Sequence, residues 1–217
     1  MKRILSLAGI ALALALTGCE EPIPPGRGVY MLMDTSGTYT GELKQAQKII
    51  NAILARLDPG DSFAVARIDT GSFSEKDIIA KITFDDRPSM ANQQKRKFRQ
   101  QIDDFVRKVK PAAYTDVTGG VLQAIEYLNE KNPGRKTILI FSDLKEELKK
   151  GYKRKNIPLQ VDRFSVVALN VTKLRSDNID PREYMDRLEY WQTRIEEGGG
   201  QWRVINDMDR LERILGD

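Results

Sequence analysis

Hydrophobic runs and hydrophobic stripes alternate along the chain, and the change of period between them predicts strands separated by helices. Six short apolar runs, at 29–33, 63–68, 78–84, 137–141, 164–169 and 202–205, read as strands. Three of them, "VYMLM", "TILIF" and "FSVVAL", are nearly continuous in apolar residues. Strands of that kind are covered on both faces, as in a parallel sheet. Between the runs, Leu43, Ala46, Ile50, Ile53 and Leu57 recur at helical spacing, as do Val121, Ile125 and Leu128. Asp180-Pro181-Arg182-Glu183 reads as an N-cap, a first-turn proline and a capping-box acid, followed by a stripe of Tyr184, Leu188, Trp191 and Ile195. A long basic helix is expected over 92–109 and a closing helix after Asp207.

This order predicts an α/β fold: a doubly wound, mostly parallel six-stranded sheet with right-handed crossovers. The connection "DTGSFSEKD" is short and reads as a hairpin. The third strand is therefore expected as an antiparallel edge.

The first residues carry a different pattern. "MKRILSLAGIALALALTGC" has a positive start at Lys2 and Arg3, an apolar core over 4–16 and small residues behind it, the layout of an export signal. Its core is shorter than the roughly 18 residues of a spanning helix, which favours a removed signal over a retained anchor. The ending "LTGC" resembles the bacterial lipobox, which implies cleavage before Cys19 and acylation of its thiol. The expected organisation is a lipoprotein signal peptide at 1–18, a short lipid-anchored linker at 19–27 with several prolines, and one domain at 28–217. Glu20 follows the cysteine, and resemblance to enterobacterial sorting places such a lipoprotein on the periplasmic side of the outer membrane of a Gram-negative cell.

Composition narrows the chemistry. Cys19 is the only cysteine, so no internal disulfide can form. Histidine is absent, which excludes histidine-dependent triads and histidine metal ligands. The formal charge of +4 falls further when Lys2 and Arg3 leave with the signal, and so small an excess on an exported chain argues against a nucleic-acid partner. Basic runs at 93–99, "QQKRKFR", and 148–155, "LKKGYKRK", read as solvated faces, although either could meet anionic lipid or an acidic partner.

In doubly wound sheets ligands bind beyond the carboxyl ends of the strands, where the strand order reverses. Asp34, Ser36 and Thr38 follow the first strand, and Ser142-Asp143 follow the strand expected beside it. Thr115 lies in "AAYTDVTGG", the loop entering the helix of Val121. Three segments thus bring two carboxylates and several hydroxyls to one rim.

The pattern D-x-S-x-T at Asp34, Ser36 and Thr38, with Thr115 and Asp143, resembles the metal-ion-dependent adhesion site of von Willebrand factor type A domains, and the likeness extends over about 27–215. It implies that Ser36 and Thr38 bind a divalent ion through their hydroxyls, while Asp34, Thr115 and Asp143 complete the site directly or through water. It also implies a protein partner that supplies an acidic residue. Thr38 departs from the family's usual serine, and Leu144 stands where many relatives have glycine. An all-oxygen set of this kind suits Mg²⁺, or Mn²⁺ or Ca²⁺.

Other readings compete. Asp34 and Ser36 could simply cap the first helix. "IDTGS", 68–72, resembles the catalytic turn of aspartic proteases, but that chemistry needs a second carboxylate and an all-β lobe. A haloacid-dehalogenase phosphatase would want a second aspartate where Ser36 stands. The expectation is therefore not an enzyme but a metal-dependent protein-binding module of a cell-envelope lipoprotein, held to the membrane through its lipid. The alternative is a metal-independent scaffold of the envelope.

Overall fold

The computed structural model describes residues 26–37 and 39–207. Cys19, Thr38 and the helix expected after Asp207 lie outside the described residues.

Among the described residues the elements run β1 (Arg27–Asp34), α1 (Leu43–Arg56), β2 (Ser62–Ile68), β3 (Ile78–Thr83), α2 (Pro88–Lys108), α3 (Val117–Lys131), β4 (Arg135–Phe141), β5 (Phe164–Leu169), α4 (Arg182–Glu197) and β6 (Gln201–Ile205). The strands form one sheet in the order β3-β2-β1-β4-β5-β6. β1 is parallel to β2 and β4, β5 and β6 continue in the same direction, and β3 alone runs antiparallel at the edge. This is the doubly wound α/β sheet that the alternating periods predict. Winding proceeds outward from β1 to β2 on one side and through β4 on the other, so the switch point lies between β1 and β4.

Both faces of the sheet are covered, as the continuous apolar runs require. Val29, Met31 and Met33 of β1 pack with Ile49 and Ile50 of α1 and Phe98 and Ile102 of α2. Tyr30 and Leu32 point the other way, into a core with Val121 and Leu128 of α3 and Trp191 and Ile195 of α4. Each such side chain contributes about 1.5–3 kcal/mol when fully buried. α3 comes very close to the sheet, because a Cβ on Gly120 would stand 2.9 Å from Leu32 Cδ2.

Local chemistry explains where expected and observed boundaries differ. α2 begins at Pro88 rather than at 92, since proline at the first helical position loses no useful donor. At the start of α4, Asp180 accepts the Arg182 N–H at 3.0 Å and also the Arg182 guanidinium, at 2.8 and 2.9 Å. Arg182 thus occupies the carboxylate that a capping box would share with Glu183. The "IDTGS" segment is a turn: Ser72 Oγ accepts the Asp69 N–H at 2.6 Å and donates to the Asp69 carbonyl at 2.8 Å. Gly71 sits there at φ +67°, a conformation that glycine takes without strain.

Candidate metal site

Asp34 is the last residue of β1 and is completely buried. Its Oδ1 accepts the Ser36 N–H at 2.8 Å, and its Oδ2 accepts the Ser142 hydroxyl at 2.6 Å. Thr35 Oγ1 donates to the Ile68 carbonyl at 2.9 Å, which pins the same corner to β2. The Ala112 N–H donates to the Thr35 carbonyl at 2.8 Å and brings in the loop that carries Thr115. Asp34 and Ser36 do not cap α1, because that helix starts at Leu43 and makes no side-chain cap bond. The Ser36 carbonyl instead receives the Tyr39 and Thr40 N–H groups, at 2.9 and 3.0 Å, and starts the short 3₁₀ turn ahead of α1.

Asp143 follows β4, and its Oδ1 accepts the Lys145 N–H at 2.9 Å. Leu144 is buried at φ +65°, a conformation that a residue with a Cβ takes at a cost. Two residues of α4 hold the turn. Arg187 Nε donates to the Asp143 carbonyl at 2.8 Å while its Nη atoms meet the Asp177 carboxylate at 2.8 and 3.2 Å. Trp191 Nε1 donates to the Leu144 carbonyl at 3.1 Å.

Thr115 lies at the same end of the sheet. Its backbone exchanges hydrogen bonds with Glu147, at 2.8 and 3.0 Å, so the two loops form an antiparallel bridge. A loop position entering a helix reads as exposed, but this bridge leaves Thr115 only 4% exposed. The next residue, Asp116, accepts the Gly119 N–H at 2.8 Å as the cap of α3 and receives the Arg154 guanidinium at 2.8–3.1 Å.

The structure therefore brings Asp34, Ser36 and Asp143 to the switch point, with Thr115 on the bridged loop beside them. Burial pushes the Asp34 carboxyl above its ordinary range, against hydrogen bonds from Ser142 and Ser36 that hold it down. Burial likewise pushes Asp143 up to about 6, and the negative charge of Asp34 adds to the rise. Neither carboxylate makes an ion pair among the described residues. Nor does any group of three or more acidic, cysteine or histidine side chains converge there as a metal cluster. An ion at this rim would depend on two aspartates, hydroxyls and water. That donor set fits a small hard divalent cation, because two buried like charges without an ion pair are costly and oxygen is its preferred ligand.

Arg187, Asp177, Glu147 and Arg154 had no signal in the sequence. Arg187, Glu147 and Arg154 act through contacts with distant segments, Asp177 through Arg187 ten residues on, and each looks like an ordinary surface charge when read along the chain.

No protein-family profile matches the chain. Over 105 residues, 48% of the chain, it is 30% identical to inter-alpha-trypsin inhibitor heavy chain H1 of Mesocricetus auratus, of which it spans 10%. Among solved structures, 88% of the chain superposes on 29% of the pilus adhesin SpaC of Lactobacillus rhamnosus GG, with TM-score 0.55 and 10% identity. It also superposes, over 97% of its length, on 49% of proximal thread matrix protein 1 of the mussel byssus, with TM-score 0.50 and 14% identity. A von Willebrand factor type A protein from Catenulispora acidiphila aligns at TM-score 0.49, below the level that fixes a shared fold. Likenesses at such low identity are likenesses of fold, and the chain covers less than half of each relative's length.

Proposed function

We propose that this chain is a divalent-metal-dependent protein-binding module of a cell-envelope lipoprotein, and not an enzyme. The observation that carries the reading is the pair of buried carboxylates, Asp34 and Asp143, neither of which makes an ion pair among the described residues, Arg187 and Lys145 acting on Asp143 only from beyond ion-pair distance. Ser36, Thr38 and Thr115 would complete the oxygen set, with Thr38 and Thr115 assigned through the resemblance to von Willebrand factor A domains. A bound Mg²⁺, Mn²⁺ or Ca²⁺ would supply a positive centre able to accept a carboxylate from a partner protein. Ser142 and the Ser36 amide fix the Asp34 carboxylate in one orientation, and Arg187 fixes the turn that presents Asp143. The fold shared with a pilus adhesin and a byssus matrix protein is compatible with such a role. Acylation of Cys19 would hold the module at a membrane surface, on the periplasmic side of the outer membrane in a Gram-negative cell.

The second reading, a metal-independent envelope scaffold, draws support from Asp34 itself, whose two oxygens already have donors. Titration calorimetry with Mn²⁺ or Mg²⁺ separates the two. One site in the wild type and none in a folded Asp34→Ala variant supports the metal reading. Absence of binding to the wild type leaves the scaffold.

A further inference from the structure

We propose that the loop 145–155, together with the exposed rings of Tyr152 and Phe73, is a docking surface for an acidic polypeptide segment of a partner protein. This deepens the reading of the rim as a protein-binding end and rests on it.

The first observation is unneutralised charge. Lys145 Nζ lies 2.7 Å from Glu147, and Arg154 is consumed by Asp116. Lys149, Lys150, Lys153 and Lys155 are exposed and form no ion pair among the described residues. Four like charges on one short loop repel one another, and an acidic segment relieves that repulsion while being steered towards it.

The second observation is aromatic. Tyr152 and Phe73 are 45% and 50% exposed. A Cβ on Gly71 would stand 2.9 Å from Tyr152 Cε1, so the tyrosine ring rests on the β2–β3 turn, which carries Phe73 two residues later. Rigid aromatic rings beside cations match the composition of protein-interface anchors.

The third observation is that the loop is held in place. The Thr115–Glu147 bridge fixes its start, and the Arg154–Asp116 pair, with Asp116 only 1% exposed, fixes its end. A surface ordered in advance loses less entropy on binding.

Direction then favours polypeptide over lipid. The loop follows the carboxyl end of β4, whereas the chain enters the sheet at Arg27, at the amino end of the parallel neighbour β1. Eight residues of strand separate those ends by about 26 Å. An anchor placed before Arg27 would therefore join the domain at the end of the sheet opposite the lysines.

The test uses fluorescence anisotropy of a labelled peptide of Glu, Asp and Leu, with the chain lacking its signal, at low and high salt, in Mg²⁺ and in EDTA. The variant Lys149→Glu/Lys150→Glu/Lys153→Glu should bind at least about tenfold more weakly at low salt, and Tyr152→Ala several-fold more weakly. The control Arg96→Glu/Lys97→Glu/Arg99→Glu, with the same charge change on α2, should stay within about twofold. Thermal melts by circular dichroism establish that all variants are folded. Equal weakening by both triple variants, or no peptide binding by the wild type, overturns the proposal. So does a loop variant that keeps peptide binding while losing phosphatidylglycerol vesicles, because the loop would then be a lipid contact. Lysine-dependent binding that survives EDTA supports a docking surface that works without the metal, whose own test remains calorimetry; metal-dependent binding indifferent to the lysines overturns the docking surface and leaves the metal reading standing.

Discussion

Ser142 donates its hydroxyl to Asp34 Oδ2 at 2.6 Å and so ties together the ends of two neighbouring parallel strands, across 108 residues of sequence. The same hydroxyl oxygen accepts the Leu144 N–H at 3.0 Å. Ser142→Ala would leave a buried carboxylate oxygen and a buried amide without partners, at a cost of about 1–3 kcal/mol. The expected result is a lower urea midpoint with an unchanged slope. A midpoint equal to that of the wild type would mean that Asp34 finds another donor.

Arg187 is expected to matter more than its place on a surface helix implies. Truncation to alanine strands the carboxylate of Asp177, which is 2% exposed, and should cost about 3–5 kcal/mol. Arg187→Lys keeps the charge but not the planar fork that reaches both Asp177 and the Asp143 carbonyl, so an intermediate loss is expected. The hydrogen bond from Arg187 holds the Asp177 carboxyl below its ordinary value of 3.8. A depressed carboxyl stabilises the fold above its unfolded pKa, and that contribution disappears as pH falls through the folded one. The deficit of Arg187→Ala in urea should therefore be full near neutrality and shrink below about pH 4. A deficit constant with pH would detach it from the ion pair.

The sheet was legible because each buried strand had to be apolar on both faces and each helix on only one. Val29 to Met33 is an instance: alternate residues enter opposite cores, so the run shows no polar gap. Asp34 and Asp143 were legible because a carboxylate ending an apolar run sits at a strand terminus. Arg187 and Arg154 were not, since Asp143 and Asp116 lie 44 and 38 residues away from them, and even the Arg187–Asp177 pair, ten residues apart, follows no local period. The burial of Thr115 was hidden for the same reason, because the bridge to Glu147 is a backbone contact without side-chain preference.

Thr115→Val tests the hydroxyl without opening a hole. Because Thr115 is buried, alanine would confound packing with chemistry, whereas valine keeps the shape. Stability should change by about 1 kcal/mol or less, while Mn²⁺ affinity by calorimetry should fall by roughly tenfold or more. Unchanged affinity would take Thr115 out of the proposed ligand set.

Cys19→Ser tests the anchor independently of the metal. The thiol is the proposed acyl acceptor, and no helix among the described residues is long and apolar enough to cross a membrane. Cells grown with labelled palmitate should yield labelled wild type in the membrane fraction, and an unlabelled variant that is soluble or unprocessed. A wild type that is processed yet unlabelled would point to a plain secretory signal.

Leu144 sets two physical effects against each other. Its φ of +65° costs a residue with a Cβ about 1–2 kcal/mol, and glycine would be free of that cost. Its side chain is 1% exposed within the core that includes Trp191, and truncation there costs about 2–5 kcal/mol. Burial is the larger effect, so both Leu144→Ala and Leu144→Gly should be less stable than the wild type. The two variants differ chiefly in the Cβ, which alanine keeps in the unfavourable conformation. Leu144→Gly should therefore be the more stable of the pair by roughly 1 kcal/mol, although glycine is ordinarily the worse residue for an ordered chain. Urea denaturation followed by tryptophan fluorescence reads this directly, since Trp191 donates to the Leu144 carbonyl. If alanine proves the more stable, the left-handed turn after Asp143 is not where the strain resides.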